Sequence, residues 1–197
     1  LKHFVSKEAF NIDGFGKKIV ENFWKLKIIK YPQDIFNLDY SKIENLDGWG
    51  KLSVQNLNYS IDQKKNISLE RFIYSLGIRH IGLENAKLLS KHFVSFSEFK
   101  HLYKQTNYED LLNIDGIGET QVSSIKSFFS NKDNKKVINE LEKVLLIKDA
   151  IQNSHDGLLN NKTFLVTGKL NGISRAEVKS LIEENSGKTI SSISKKL

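Results

Sequence analysis

"IDGFGKKIVENF" fills residues 12–23, and its first five residues set a pattern that the chain repeats. "LDGWGKLSVQNL" follows at residues 46–57 and "IDGIGETQVSSI" at residues 114–125. Each reads apolar, Asp, Gly, apolar, Gly, and then a short amphipathic run. Gly14 and Gly48 are 34 residues apart, and Gly116 lies 68 beyond Gly48. A missing copy therefore belongs near residue 82, where "IRHIG", residues 78–82, puts His80 in the place of the first glycine. The spacings become 34, 32 and 36, an internal repeat of four units that has to be settled before anything else in the fold.

The segments around the turns agree with one another. Four residues past the second glycine come Val20, Val54, Ala86 and Val122; seven past come Phe23, Leu57, Leu89 and Ile125. That is the i, i+3 spacing of one helix face. Before each turn lies another short helical candidate, at residues 5–11, 41–45, 69–76 and 108–113. Each unit is thus expected to run helix, tight turn, helix.

The residue types suit such a turn. The first glycine (Gly14, Gly48, Gly116) can take a positive φ that a side chain resists. The aspartates before it, Asp13, Asp47 and Asp115, suit turn entry by hydrogen-bonding the local backbone. The residue between the glycines is apolar, Phe15, Trp49, Ile81 or Ile117, and can pin the turn against its helices. For Phe15 and Trp49 this stapling role is favoured over stacking on bases, because a duplex does not expose bases to stack on. The second glycine (Gly16, Gly50, Gly82, Gly118) opens the second helix, where unpaired N–H groups and the helix dipole make an anion welcome.

One reading makes these plain helix connectors, with glycine there for geometry. Charge placement favours a second. Lys17, Lys18 and Lys51 occupy the first turn of a helix, where the dipole disfavours a cation unless an anion is bound there. Arg79 and His80 sit inside the third turn. The fourth unit carries Glu119, so its electrostatic pull is expected to be weaker, with Thr120 still able to donate a hydrogen bond. The chain of 197 residues has a net charge of +7, which favours an anionic partner.

This unit resembles the helix-hairpin-helix motif, which holds nucleic-acid phosphates through hairpin backbone amides. Such contacts are largely indifferent to base sequence, and four copies can grip several phosphates. The wording is more specific still. "HFVSKEAFNIDGFGKKIVENF" and "LERFIYSLGIRHIGLENAKLLSKHF" resemble the bacterial NAD-dependent DNA ligases, in register from residue 3 to about residue 147. That resemblance implies a mainly α fold: four tandem helix-hairpin-helix units (a SAM-like, RuvA-like helical domain) at 12–16, 46–50, 78–82 and 114–118, within a DNA-binding domain over residues 1–148. It makes Gly14, Phe15, Gly16, Lys17, Lys18, Gly48, Trp49, Gly50, Lys51, Arg79, His80, Ile81, Gly82, Gly116, Ile117, Gly118 and Thr120 the expected DNA-binding residues.

Residues 149–161 are polar and aperiodic, and read as a linker. Residues 162–197 then give a short strand, Thr167 and Gly168, a helix, and a second strand at "KTISSIS". The helix has Ser174 as N-cap candidate, Glu177 completing a capping box and Gly187 just past its end. This order resembles the start of an α/β BRCT domain, about half of one. It is either cut short or poorly folded alone, since about 40 residues seldom bury enough core. Thr167 and Gly168 match a phosphate-holding position of that family, although strand-end packing is the favoured role for them here. Lys169 could add a nonspecific phosphate contact.

The ligase reaction moves AMP from NAD to a lysine, then to a 5′-phosphate at a nick, and a 3′-hydroxyl displaces it. The family's lysine lies in a Lys-x-Asp-Gly motif. Here Asn11, Asn45 and Asn113 stand in the lysine's place, so no catalytic residue is expected. With no cysteine and five scattered histidines, neither disulfide nor structural zinc site is expected, and this piece binds no cofactor itself. NAD, Mg2+ and a structural Zn2+ are implied only for upstream parts of the parent enzyme. The implied partners are nicked double-stranded DNA and the upstream adenylation, OB-fold and zinc-finger domains. No run is apolar enough to span a bilayer and no signal peptide is visible, so no membrane partner is expected; the family implies a cytoplasmic, nucleoid-associated place. The absence of methionine and the start at Leu1 read as an internal piece of a longer protein. Rival readings are a hairpin module of another repair protein, a protein-binding scaffold, and an inert product of a split or decayed gene.

Overall fold

Four α-helices begin directly after the recurring turns: α1 (Lys17–Lys25), α3 (Lys51–Gln63), α5 (Leu83–Phe93) and α7 (Glu119–Ser130). They form as the i, i+3 spacing requires. Val20, Phe23, Val54, Leu57, Ala86, Leu89 and Ile125 are buried, and Val122 is half-buried against the same core. Between them lie α2 (Tyr40–Glu44), α4 (Leu69–Ser75) and α6 (Phe96–Lys100), and α8 (Lys132–Glu142) follows α7. The computed structural model describes residues 1–150, 157–168, 172–173 and 175–190. The chain divides into two compact units, Leu1–Ala150 and Ile151–Leu197.

The first unit has one continuous core. Aromatic rings link successive parts of it. Phe4 stacks on Phe10 at 4.2 Å, Phe15 meets Phe23 at 5.6 Å, Phe23 meets Trp49 at 5.4 Å, and Phe99 meets Phe129 at 5.5 Å. Such pairs add about 0.5–1.5 kcal/mol each beyond the area they bury.

Two of the expected leading helices are different in form. Residues 109–113 make a 3-10 turn. Residues 5–11 make a run of turns instead of an α-helix, closed by Ala9 N–H to Ser6 O at 3.0 Å and Phe10 N–H to Phe4 O at 3.1 Å. A residue of α4 braces this stretch. Arg71 is buried there, and its guanidinium donates to the carbonyls of Ala9 (2.9 Å from Nε) and Lys7 (3.2 Å). The mainly helical first unit also holds a two-stranded parallel pair that the sequence reading did not foresee, β1 (Asn66–Ser68) with β2 (Leu146–Lys148), in the register Ile67 to Ile147. It joins the third unit to the end of the fourth, helped by Leu146 N–H to Lys65 O at 2.8 Å.

The second unit runs β3 (Thr163–Leu165), α9 (Arg175–Glu184) and β4 (Lys188–Ile190), with β3 and β4 parallel. A parallel pair needs a crossover, which α9 supplies. α9 ends in a turn with Ser186 at φ 66° and Gly187 N–H bonded to Ile182 O at 2.8 Å, so the left-handed residue is Ser186 and not Gly187. Of the expected linker, Ala150 still belongs to the first unit, its N–H on Val94 O. Leu159 bonds to Asn185 O at 2.9 Å within the second. Lys169 and Ser174 lie outside the described residues.

Candidate nucleic-acid interface

The four turns share one backbone geometry. The residue at the first-glycine position has positive φ each time: Gly14 71°, Gly48 78°, His80 60° and Gly116 88°. A hydrogen bond closes each turn across three residues: Phe15 to Ile12 (3.2 Å), Trp49 to Leu46 (3.0 Å), Ile81 to Ile78 (3.1 Å) and Ile117 to Ile114 (2.9 Å). The second glycine is extended and caps the helix, accepting the first helical bond from Val20, Val54, Ala86 or Val122 at 2.9–3.1 Å. His80 adopts the glycine conformation with a side chain, and the Asn85 amide braces the turn by donating to His80 O at 3.2 Å. Asp13 accepts from the Gly14 N–H at 3.1 Å; among the described residues Asp47 and Asp115 make no such bond.

The same geometry buries the central residues of the turns. Phe15, Ile81 and Ile117 are buried to 0%, 6% and 4% exposure, and Trp49 is half-buried against Phe23. Their amides are spent closing the turns. The buried side chains of Phe15, Ile81 and Ile117 pin the turns against the core, the stapling role that the sequence favours for Phe15. They are staples.

The free donors lie one step further on. Among the described residues, no protein acceptor meets the N–H of Gly16, Gly50 or Gly82, nor the amides of the next helical turn. The N–H groups of Leu52, Leu83 and Glu84 are among these unpaired amides, which their side chains gave no hint of. A methyl at Gly16, Gly50 or Gly82 would meet nothing within 4 Å, so the space over those amides is open. The fourth turn differs. Gln121 Oε1 accepts from the Gly118 N–H at 3.2 Å, and a methyl at Gly116 would lie 2.9 Å from Leu88. That turn is packed inward and its capping amide is already satisfied.

Electrostatics follow the same division. α1 and α3 have no acidic residue in their first turns and open with exposed Lys17, Lys18 and Lys51, which form no ion pairs among the described residues. α5 has Glu84 and α7 has Glu119 in that position. Arg79 and His80, both exposed, line a groove with Thr120 and the start of α7. In the second unit Thr167 and Gly168 are exposed, with Gly168 O accepting from Arg175 Nε at 2.9 Å.

The Asp-Gly pairs follow asparagine rather than lysine two positions back, and no cluster of three potential metal ligands exists among the described residues. No helix among them is long and apolar enough to cross a membrane.

The family profile for the helix-hairpin-helix motif matches residues 71–138. The chain is similar to the DNA ligase of Pelagibacter ubique, 70% identical over 197 residues, which is all of this chain and 29% of that protein. It is 44% identical to the DNA ligase of Ehrlichia canis, over 99% of this chain and 30% of that protein. The DNA ligase of Rickettsia bellii is 42% identical over 98% of this chain and 30% of its own length. The chain thus spans under a third of the curated relatives it matches.

Proposed function

Since the chain belongs to the DNA ligase family, we propose that it is the part of a ligase that grips duplex DNA by its phosphates. The observation that carries this reading is the open helix start at Gly16, Gly50 and Gly82. Each offers unpaired amides on the positive end of a helix dipole. Lys17, Lys18, Lys51 and Arg79 stand beside them. The four turns are four helix-hairpin-helix units, of which the first three hold phosphate and the fourth chiefly packs.

The parent enzyme is an NAD-dependent ligase that joins a 5′-phosphate to a 3′-hydroxyl at a nick during replication and repair, in the bacterial cytoplasm. Its adenylation, OB-fold and zinc-finger domains supply the chemistry and work with this part. Holding the duplex raises the effective concentration of the nick at those domains. The second unit is the start of a BRCT domain.

Phosphate contacts predict a steep salt dependence. With four cations engaged, affinity should fall on the order of 100-fold between about 50 and 200 mM salt. The test is binding of the whole chain to a nicked and an intact duplex of one sequence across that range. Salt-sensitive binding to both is expected, and any preference for the nick means recognition is partly built in here. No binding at low salt by a folded chain would leave a scaffold or an inert piece instead.

A further inference from the structure

The groove beside the third turn extends beyond any hairpin amide. One wall is Arg79 and His80; the other is a face of α7 carrying Thr120, Ser123 and Ser127 at i, i+3 and i+7. It has a volume of about 530 Å³ and is open to solvent. The two walls come from residues some forty positions apart, so the turn and the helix face meet only through the fold. Ser124 turns its hydroxyl back to Thr120 O at 2.9 Å. Ser123 and Ser127 are exposed and make no hydrogen bond among the described residues. Arg79 likewise forms no ion pair there, although Glu119 lines the same groove.

A serine face alone would be a solvated helix surface. An unpaired guanidinium across the groove from it changes what the space attracts. Guanidinium and hydroxyl groups are both donors to phosphate oxygens, and neither needs a particular base. From Thr120 to Ser127 the face runs about 10 Å along α7. That is long enough to meet more than one phosphate of a single DNA strand.

We propose that this groove seats a continuous stretch of one DNA backbone strand, with Arg79 neutralising a phosphate and Ser123 and Ser127 donating to the backbone further along. The third turn and α7 then form one composite site, and the fourth unit contributes its helix side instead of its turn. This rests on the reading of the chain as a DNA-gripping module. Glu119, the groove's acid, opposes the bound strand, so Glu119→Gln should tighten binding.

The test compares whole-chain variants Ser127→Glu and Ser130→Glu on a nicked duplex at low salt. Both add one charge to an exposed position of α7, but Ser130 is outside the groove. Ser127→Glu should weaken binding about five- to ten-fold and Ser130→Glu less than about two-fold, with unchanged thermal melts. Ser123→Ala/Ser127→Ala should weaken it about three-fold or more while leaving the salt slope alone, because hydroxyls release no counterions. Equal effects of the two glutamates, or no effect of the double alanine, overturn the proposal. If Gly16→Val/Gly50→Val still loses binding in that case, the wider reading survives and only the groove falls. A folded parent chain that binds no duplex overturns both.

Discussion

Tyr103 and Gly116 show how single residues set the stability of the first unit. The Tyr103 hydroxyl is buried with no hydrogen-bond partner among the described residues, while Lys100 and Lys135 lie 5.9 and 5.8 Å from its ring. Burial, and then the Glu142 carboxylate, push its ionisation above the ordinary phenol range. Folding therefore favours the protonated phenol. That stability is full below the unfolded value of about 10 and is lost as pH rises toward the folded one. Tyr103→Phe keeps the cation–ring contacts and removes a stranded hydroxyl, so it should stabilise by up to about 1 kcal/mol. Chemical denaturation above about pH 10 should then show a shallower loss than the parent. At Gly116, φ of 88° combines with Leu88 at 2.9 Å from an added methyl, whereas Gly14 and Gly48 have open space there. Gly116→Ala should cost about 2–4 kcal/mol and Gly14→Ala or Gly48→Ala about 1–2 kcal/mol, read from urea midpoints. The glycine pattern announced all three turns in the sequence. It could not say which one was packed inward, because Leu88 is 28 residues from Gly116.

At the scale of elements, legibility tracked locality. Helices α1, α3, α5 and α7 were readable because a capping glycine and an i, i+3 face lie within one short window. The stretch 5–11 was not, since its turns are braced by Arg71, more than sixty residues away. The β1–β2 pair was not, since three-residue strands eighty residues apart carry no period of their own. The proposed site was legible in its glycines and lysines. At Phe15, Ile81 and Ile117 the pinning role read from the sequence matches their burial, while which amides stay unpaired could not be read, because that depends on the closed turn. Ser123 and Ser127 gave no signal, because polar residues on a helix's outer face look the same with or without a ligand. Arg71→Met should destabilise by about 2–3 kcal/mol, the worth of charged hydrogen bonds to otherwise stranded carbonyls. The loss should appear in the melt of the whole first unit, since α4 and the leading segment share one core.

For the whole molecule, the division after Ala150 separates the proposed grip from the α/β unit. A chain ending at Ala150 keeps β2 and its pairing to β1, and about 150 residues suffice for an independent core. It should melt cooperatively and bind duplex DNA within about two-fold of the parent, since every proposed phosphate donor lies before that point. Removing residues from Leu146 onward deletes β2, and should lower the melting temperature by several degrees. A loss of binding on cutting at Ala150 would place an essential contact in the second unit.

The central claim is that open helix-start amides hold the phosphates, and Gly16→Val/Gly50→Val tests it most directly. Both glycines have negative φ that valine tolerates, with nothing within 4 Å of the added Cβ. Folding should change by about 1 kcal/mol or less per site, yet the side chains stand where a phosphate must approach. The measurement is duplex affinity of this variant against the parent across a salt series, alongside thermal melts. The account predicts at least about a ten-fold loss of affinity at every salt concentration, with a cooperative melt lowered by no more than several degrees. Parent-like affinity in the folded variant would contradict it.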